Sequence, residues 1–229
     1  MHLLKAMATV VVTLLGATAP GAALAGDLHI GVIVYENATP MDFIGPLQYF
    51  DFMFEFGTKA RLSTISQSVG LLRNSPNGVP FQATQSYKSF NGTKLDVLLI
   101  GGGQDTGVVT RDAEFMAFIK AQALRADYVL SVSTGASILA ATGILDGKKA
   151  TTSKRALDAA SSVFPQVDWQ RKARWVVDGK LWTSAGITAG MDLGRAFVTR
   201  FYNETVAVSI TKTLEIISNT DPSNDPFAV

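Results

Sequence analysis

Apolar residues in this chain gather in short continuous runs bounded by glycine, asparagine and proline, and these runs alternate with stretches of helical spacing. Residues 28–35 form a β-rich run ending in polar residues, and residues 45–56 carry the aromatic and apolar spacing of a helix. Residues 61–66 predict a second strand, and Asn77-Gly78 between short extended stretches predicts a hairpin or sharp bend. Residues 95–100 are apolar except for Asp96 and run into Gly101-Gly102-Gly103, the pattern of a buried parallel strand feeding a glycine loop; a helix is expected over 112–125. A buried strand over 128–132 meets a helix over 136–141 with only Ser133-Thr134-Gly135 between them. Beyond that turn the pattern predicts a short strand at 150–152 and a helix around 155–163. A hairpin on Asp178-Gly179 follows, then helical segments from about 191 to 217 and an irregular tail after Asn219. Strands alternating with helices imply an α/β fold, a mostly parallel sheet with helices on both faces.

The first twenty-five residues read differently from the rest. A short segment with Lys5 and no acid precedes an apolar run over 6–17 broken only by Thr9 and Thr13, and Ala23-Leu24-Ala25 supplies a small-x-small cleavage pattern. We expect a signal peptide over 1–25, cleavage after Ala25, and a periplasmic or secreted location for a single domain over 26–229. The run is shorter than the ~20 apolar residues of a membrane span, which argues against an anchor, and no later segment reaches that length, so no membrane association is expected after cleavage.

Composition narrows the chemistry. Removing Lys5 with the leader leaves 19 basic against 19 acidic residues, a balance that argues against nucleic acid as a partner. The chain has no cysteine, which excludes disulfides and thiol catalysis. Its two histidines are His2, in the leader, and His29, in a strand, so no histidine- or cysteine-rich metal site can be built and no cofactor is expected.

In open α/β sheets ligands bind beyond the carboxyl ends of the strands, where Gly101-Gly102-Gly103 and Ser133-Thr134-Gly135 both lie. A residue on a sharp strand-to-helix turn is pushed out of the sheet, among backbone N–H groups that can stabilise negative charge. Ser133 holds that position; a helix cap from Ser133 or Thr134 is the alternative. A nucleophilic serine ordinarily needs a histidine base, but His29 begins its strand at the opposite sheet end. Asp42, after the first strand, is the remaining proton carrier, or else a helix-N-terminal acid favoured by the helix dipole.

Together, Met41-Asp42-Phe43-Ile44-Gly45-Pro46, the 95–100 strand with its three glycines, Ser131-Val132-Ser133-Thr134-Gly135-Ala136, Ala150-Thr151-Thr152 and Gly186-Ile187-Thr188-Ala189-Gly190-Met191-Asp192 resemble the ThiJ/PfpI superfamily, of glutamine amidotransferase-like fold, and within it the isonitrile hydratases. The resemblance implies a flavodoxin-like three-layer sandwich, a homodimer and a small-molecule ligand or substrate. In the isonitrile hydratases an elbow cysteine attacks the isonitrile carbon, the first-loop acid assists proton transfer, and water releases an N-substituted formamide. By that correspondence Ser133 stands at the cysteine position, Asp42 matches the acid, and backbone around Gly102, Gly103, Thr134 and Gly135 matches the substrate and oxyanion region. Ser153 stands where the family commonly has histidine. The resemblance leaves three classes of function: a hydratase or hydrolase using Ser133 and Asp42, a degenerate binding protein like the ligand domains of AraC-type regulators, and a protease- or deglycase-like activity for which the chain lacks thiol and histidine.

Overall fold

The computed structural model describes residues 28–228; the leader and cleavage site expected at residues 1–25 lie outside the described residues. Strand β1 (Leu28–Ile33) is buried at every position, as a central parallel strand covered on both faces must be. Helix α1 (Pro40–Asp51) begins five residues before the expected start. Pro40 suits a first helical turn, where its fixed φ is already helical and its missing N–H would have had no partner. The aromatic run over Phe52–Phe56 that looked like more of this helix tightens into a 3-10 turn.

Strand β2 (Ala60–Ser66) follows, and the hairpin expected at Asn77-Gly78 is present as β3 (Gly70–Arg73) and β4 (Pro80–Ala83), antiparallel to each other. After β5 (Gln85–Ser86) come β6 (Val97–Ile100), a single turn α2 (Gly107–Thr110) and α3 (Ala113–Arg125). Asp112 caps α3 by accepting a 3.0 Å hydrogen bond from Phe115 N–H. Strand β7 (Tyr128–Val132) leads into α4 (Gly135–Ala141). The strand expected at 150–152 contracts to β8 (Lys149–Ala150) because the next two residues bond elsewhere. Thr151 N–H donates to Thr183 Oγ1 at 2.8 Å, and Thr152 Oγ1 donates to the Ser133 carbonyl at 2.8 Å.

Helix α5 (Leu157–Val163), strand β9 (Asp168–Trp169) and the hairpin β10 (Trp175–Asp178) and β11 (Leu181–Ser184) follow. The helical stretch near the C-terminus divides into α6 (Ala189–Phe201) and α7 (Glu204–Thr213), where Asn203 caps α7 through Val206 N–H at 2.9 Å. Trp182 packs edge-on against Phe197, so it serves the core.

The central sheet has seven strands in the order β10-β11-β7-β6-β1-β2-β5, all parallel except the β10–β11 hairpin. The chain steps from β1 to β2 in one direction and from β6 to β7 in the other. Right-handed crossovers therefore place α1 and α3 on opposite faces and make the β1–β6 junction a topological switch point. Helix α6 lies against α1, close enough that a Cβ on Gly194 would sit 3.0 Å from Pro46 Cα. Residues after 218 are irregular but anchored: Arg174 N–H donates to Pro222 O at 2.7 Å, and Asp225 N–H to Lys172 O at 2.9 Å.

Gly135 opens α4 directly against the end of β6, and a Cβ there would overlap the Ile100 carbonyl oxygen. Gly-to-Ala inside a helix ordinarily stabilises by up to about 1 kcal/mol. Here backbone meets backbone and neither side can yield, so Gly135→Ala should destabilise by about 1–3 kcal/mol, read as a lower urea midpoint at unchanged m-value.

Candidate functional site

Ser133 is the hinge between β7 and α4, and its φ of 57° places an L-residue in the left-handed region. Such a conformation costs of order 1–3 kcal/mol and persists only where its surroundings enforce it, as they do here. Ser133 N–H donates to Ala185 O at 2.8 Å, and its carbonyl accepts from Thr152 Oγ1. The α4 N-cap position belongs to Thr134, whose side chain makes no capping bond; Thr134 Oγ1 instead accepts from Gly103 N–H at 2.9 Å and donates to Gly103 O at 3.0 Å. Thr134 thus ties the turn after β7 to the turn after β6.

Asp42 sits in the first turn of α1 and is wholly inaccessible to solvent. Its Oδ2 accepts from Gly102 N–H at 2.9 Å, while Oδ1 is buried with no hydrogen-bond partner among the described residues. Burial pushes its carboxyl up to about 7, and the Gly102 N–H only partly opposes that rise. Gly102 separates Asp42 from the turn: a Cβ on it would stand 2.9 Å from Asp42 Oδ2 and 2.5 Å from Thr134 Oγ1. No hydrogen bond joins Asp42 to Ser133; Gly102, which donates to Asp42 and packs against Thr134, stands between Asp42 and the elbow turn.

Ser133 opens on a cavity of about 740 Å³ that also takes in Thr39, Gln104, Thr134, Ser153, Arg155 and Ile187. The residues singled out from the sequence therefore have distinct placements. Ser133, Thr134 and Gly103 border the cavity, while Gly102 is buried with its N–H engaged by Asp42. Gly103 N–H is engaged by Thr134, and Gly135 is buried in the first turn of α4. The N–H groups of Thr134 and Gly135 have no acceptor among the described residues.

His29 lies at the start of β1, away from this end of the sheet. Its Nε2 bonds Ser63 Oγ at 2.9 Å, and desolvation, then the Arg61 charge, hold its pKa below the usual value. Among the described residues no group of three or more His, Cys, Asp or Glu side chains could hold a metal ion.

Of one cluster only Thr188 and Asp192, in the 186–192 run, were visible in the sequence, and nothing there joined them to their partners. Arg174 on the β10 side is buried, with Nε donating to Asp192 Oδ2 at 2.9 Å and its other nitrogens reaching Thr188 Oγ1 at 3.0 Å and Asp225 Oδ1 at 3.4 Å. Lys154 Nζ lies 3.7 Å from Asp225 Oδ2. These residues are distant in sequence and carry no spacing that could have announced them.

Asp42 makes stability depend on pH in a defined direction. In the unfolded chain its carboxyl releases a proton near 3.8; in the fold it holds that proton until about 7. The folded state therefore binds more protons between these values, and stability falls as pH rises from about 4 to about 7. Asp42→Asn, which mimics the neutral acid, should match the parent near pH 4 and exceed it by up to about 4 kcal/mol at pH 8, as measured by urea titrations across that range.

Comparison with known proteins agrees with this architecture. An isonitrile hydratase from Pseudomonas putida is 31% identical over 167 residues, covering 72% of this chain and 68% of its own. A ThiJ/PfpI family protein from Pseudomonas syringae superposes with a TM-score of 0.75 at 31% identity, covering 88% of this chain and 78% of that one. An AraC family transcriptional regulator from Pseudomonas putida shares the fold, with a TM-score of 0.67 at 18% identity over 82% of this chain and 99% of that one. Residues 29–200 match the model of the DJ-1/PfpI family, and the chain belongs to that family.

Proposed function

We propose that this protein is an exported hydratase of small isonitriles that uses Ser133 as nucleophile and Asp42 as proton carrier. The observation that carries this reading is the Asp42 carboxyl, buried beside the elbow with one oxygen unpartnered and its proton retained to about 7. A general acid is most effective when its pKa lies near the working pH.

The acid also answers the weakness of a serine nucleophile. A hydroxyl attacks poorly unless activated, but an isonitrile is basic at its terminal carbon. Transfer of the Asp42 proton to that carbon makes it electrophilic enough for a neutral hydroxyl. Bond formation from Ser133 Oγ, with its proton returned to Asp42, gives Ser–O–CH=N–R. Water then adds to the same carbon, the C–Oγ bond breaks with a proton restored to Ser133, and R–NH–CHO leaves. The Thr134 N–H would offset negative charge on the adding oxygen. Proton traffic between Asp42 and the cavity needs a water or a small side-chain shift beside Gly102.

The separation of Asp42 from Ser133 favours a second reading, a binding protein that retains the cavity without turnover. Both readings predict distinct outcomes with a panel of isonitriles assayed for formamide. As a hydratase, the parent should turn over, Ser133→Ala should abolish the reaction, and Asp42→Asn should slow it by about 10²–10⁴. Because the protonated acid acts, kcat/KM should be level below pH 7 and fall above it. Ser133→Cys should gain about tenfold or more, since a thiol is partly ionised and intrinsically nucleophilic. Binding without formamide in the parent and in Ser133→Cys would establish the second reading. Export is checked by N-terminal sequencing of the periplasmic or secreted product, which should begin at Gly26.

A further inference from the structure

The cavity beside Ser133 contains one charged lining side chain, Arg155. It is exposed at the cavity wall and makes no hydrogen bond or ion pair with any described residue. The acid three residues further along, Asp158, is committed elsewhere, 2.5 Å from Arg171 Nη2. A smaller hollow of about 320 Å³ shares Ser153, Arg155, Gly186 and Ile187 with this cavity, so Arg155 stands where the two meet.

The neighbouring charges are already balanced against one another. Lys154 and Arg174 face Asp225, and Arg174 also holds Asp192. A buried and a half-buried cation therefore meet two buried carboxylates, and the unpaired positive charge among the cavity's lining residues is that of Arg155. The rest of the cavity lining is uncharged. An unpaired guanidinium facing a neutral cavity offers a planar fork of donors that matches a carboxylate in shape as well as in sign.

We propose that Arg155 is a specificity-determining residue that selects substrates carrying a carboxylate, held so that the reacting carbon lies at Ser133. The proposal rests on reading the Ser133 cavity as a hydratase site, and its test separates failure of one from failure of the other. Two isonitriles that differ only in charge, isocyanoacetate and isocyanoacetamide, are compared by kcat/KM. Their products, N-formylglycine and N-formylglycinamide, are compared by calorimetric titration.

The parent should favour the charged member of each pair by about tenfold or more, the scale of one charge-assisted hydrogen-bonded contact. Arg155→Gln should bring both ratios close to 1, and Arg155→Lys should keep part of the preference, since charge remains while the fork is lost. The side chain is exposed, so neither substitution disturbs the core. Turnover without a carboxylate preference would overturn the role of Arg155 and leave the hydratase reading standing. Absence of turnover together with a binding preference that Arg155→Gln abolishes would sustain Arg155 and overturn the hydratase. Neither turnover nor preference would overturn both.

Discussion

At the carboxyl end of the sheet, the loops leaving β1, β6 and β7 converge on a space in which there is no room for Cβ atoms. A Cβ on Gly103 would overlap the Asn37 carbonyl, one on Gly102 would crowd Thr134, and one on Gly135 would overlap the Ile100 carbonyl. Because these positions are bare, the turns after β6 and β7 can be tied by Thr134, while Thr39 N–H reaches Gly102 O at 2.9 Å. The left-handed backbone at Ser133 is held by this close approach, and so is the burial of Asp42. A Cβ at any of these positions would force the converging loops to shift, and with them the setting of both side chains.

The same crowding decides the state of Asp42. A carboxyl sealed from water and given a single N–H donor cannot be well solvated as an anion, so it stays protonated far above its usual range. Desolvation governs Asp192 as well, although Arg174 beside it pulls in the opposite direction. Asp42 and Asp192 are thus buried in different company. Asp192 sits in an ion-pair cluster that fixes structure, while Asp42 stands nearly alone and retains a transferable proton.

Much of this could be read from the residues. The strand over 128–132 was legible to the residue, because an apolar run bounded by Asp127 and an abrupt Ser-Thr-Gly leaves little freedom. The elbow followed from the short distance between that run and the next helix. The start of α1 was hidden because Pro40, Gly45 and Pro46 resemble breakers, although in a helix packed on α6 the bare Cα of Gly45, and that of Gly194 facing Pro46, is what permits contact. The strand at 150–152 shrank because Thr151 and Thr152 spend their hydrogen bonds on distant segments, which local propensity does not register. Arg155 and the Arg174 cluster were illegible for the same reason: their roles arise from what the fold brings together, not from neighbours in sequence.

Arg174 binds Asp225 across 51 positions, and Asn219 N–H binds Asp192 Oδ1 at 2.9 Å across 27. A chain synthesised from its N-terminus therefore carries an arginine with half its compensating charge missing until residue 225 emerges. Enclosing such a group early is costly, so the β10–α6 corner should close last, after most of the sheet has already been made.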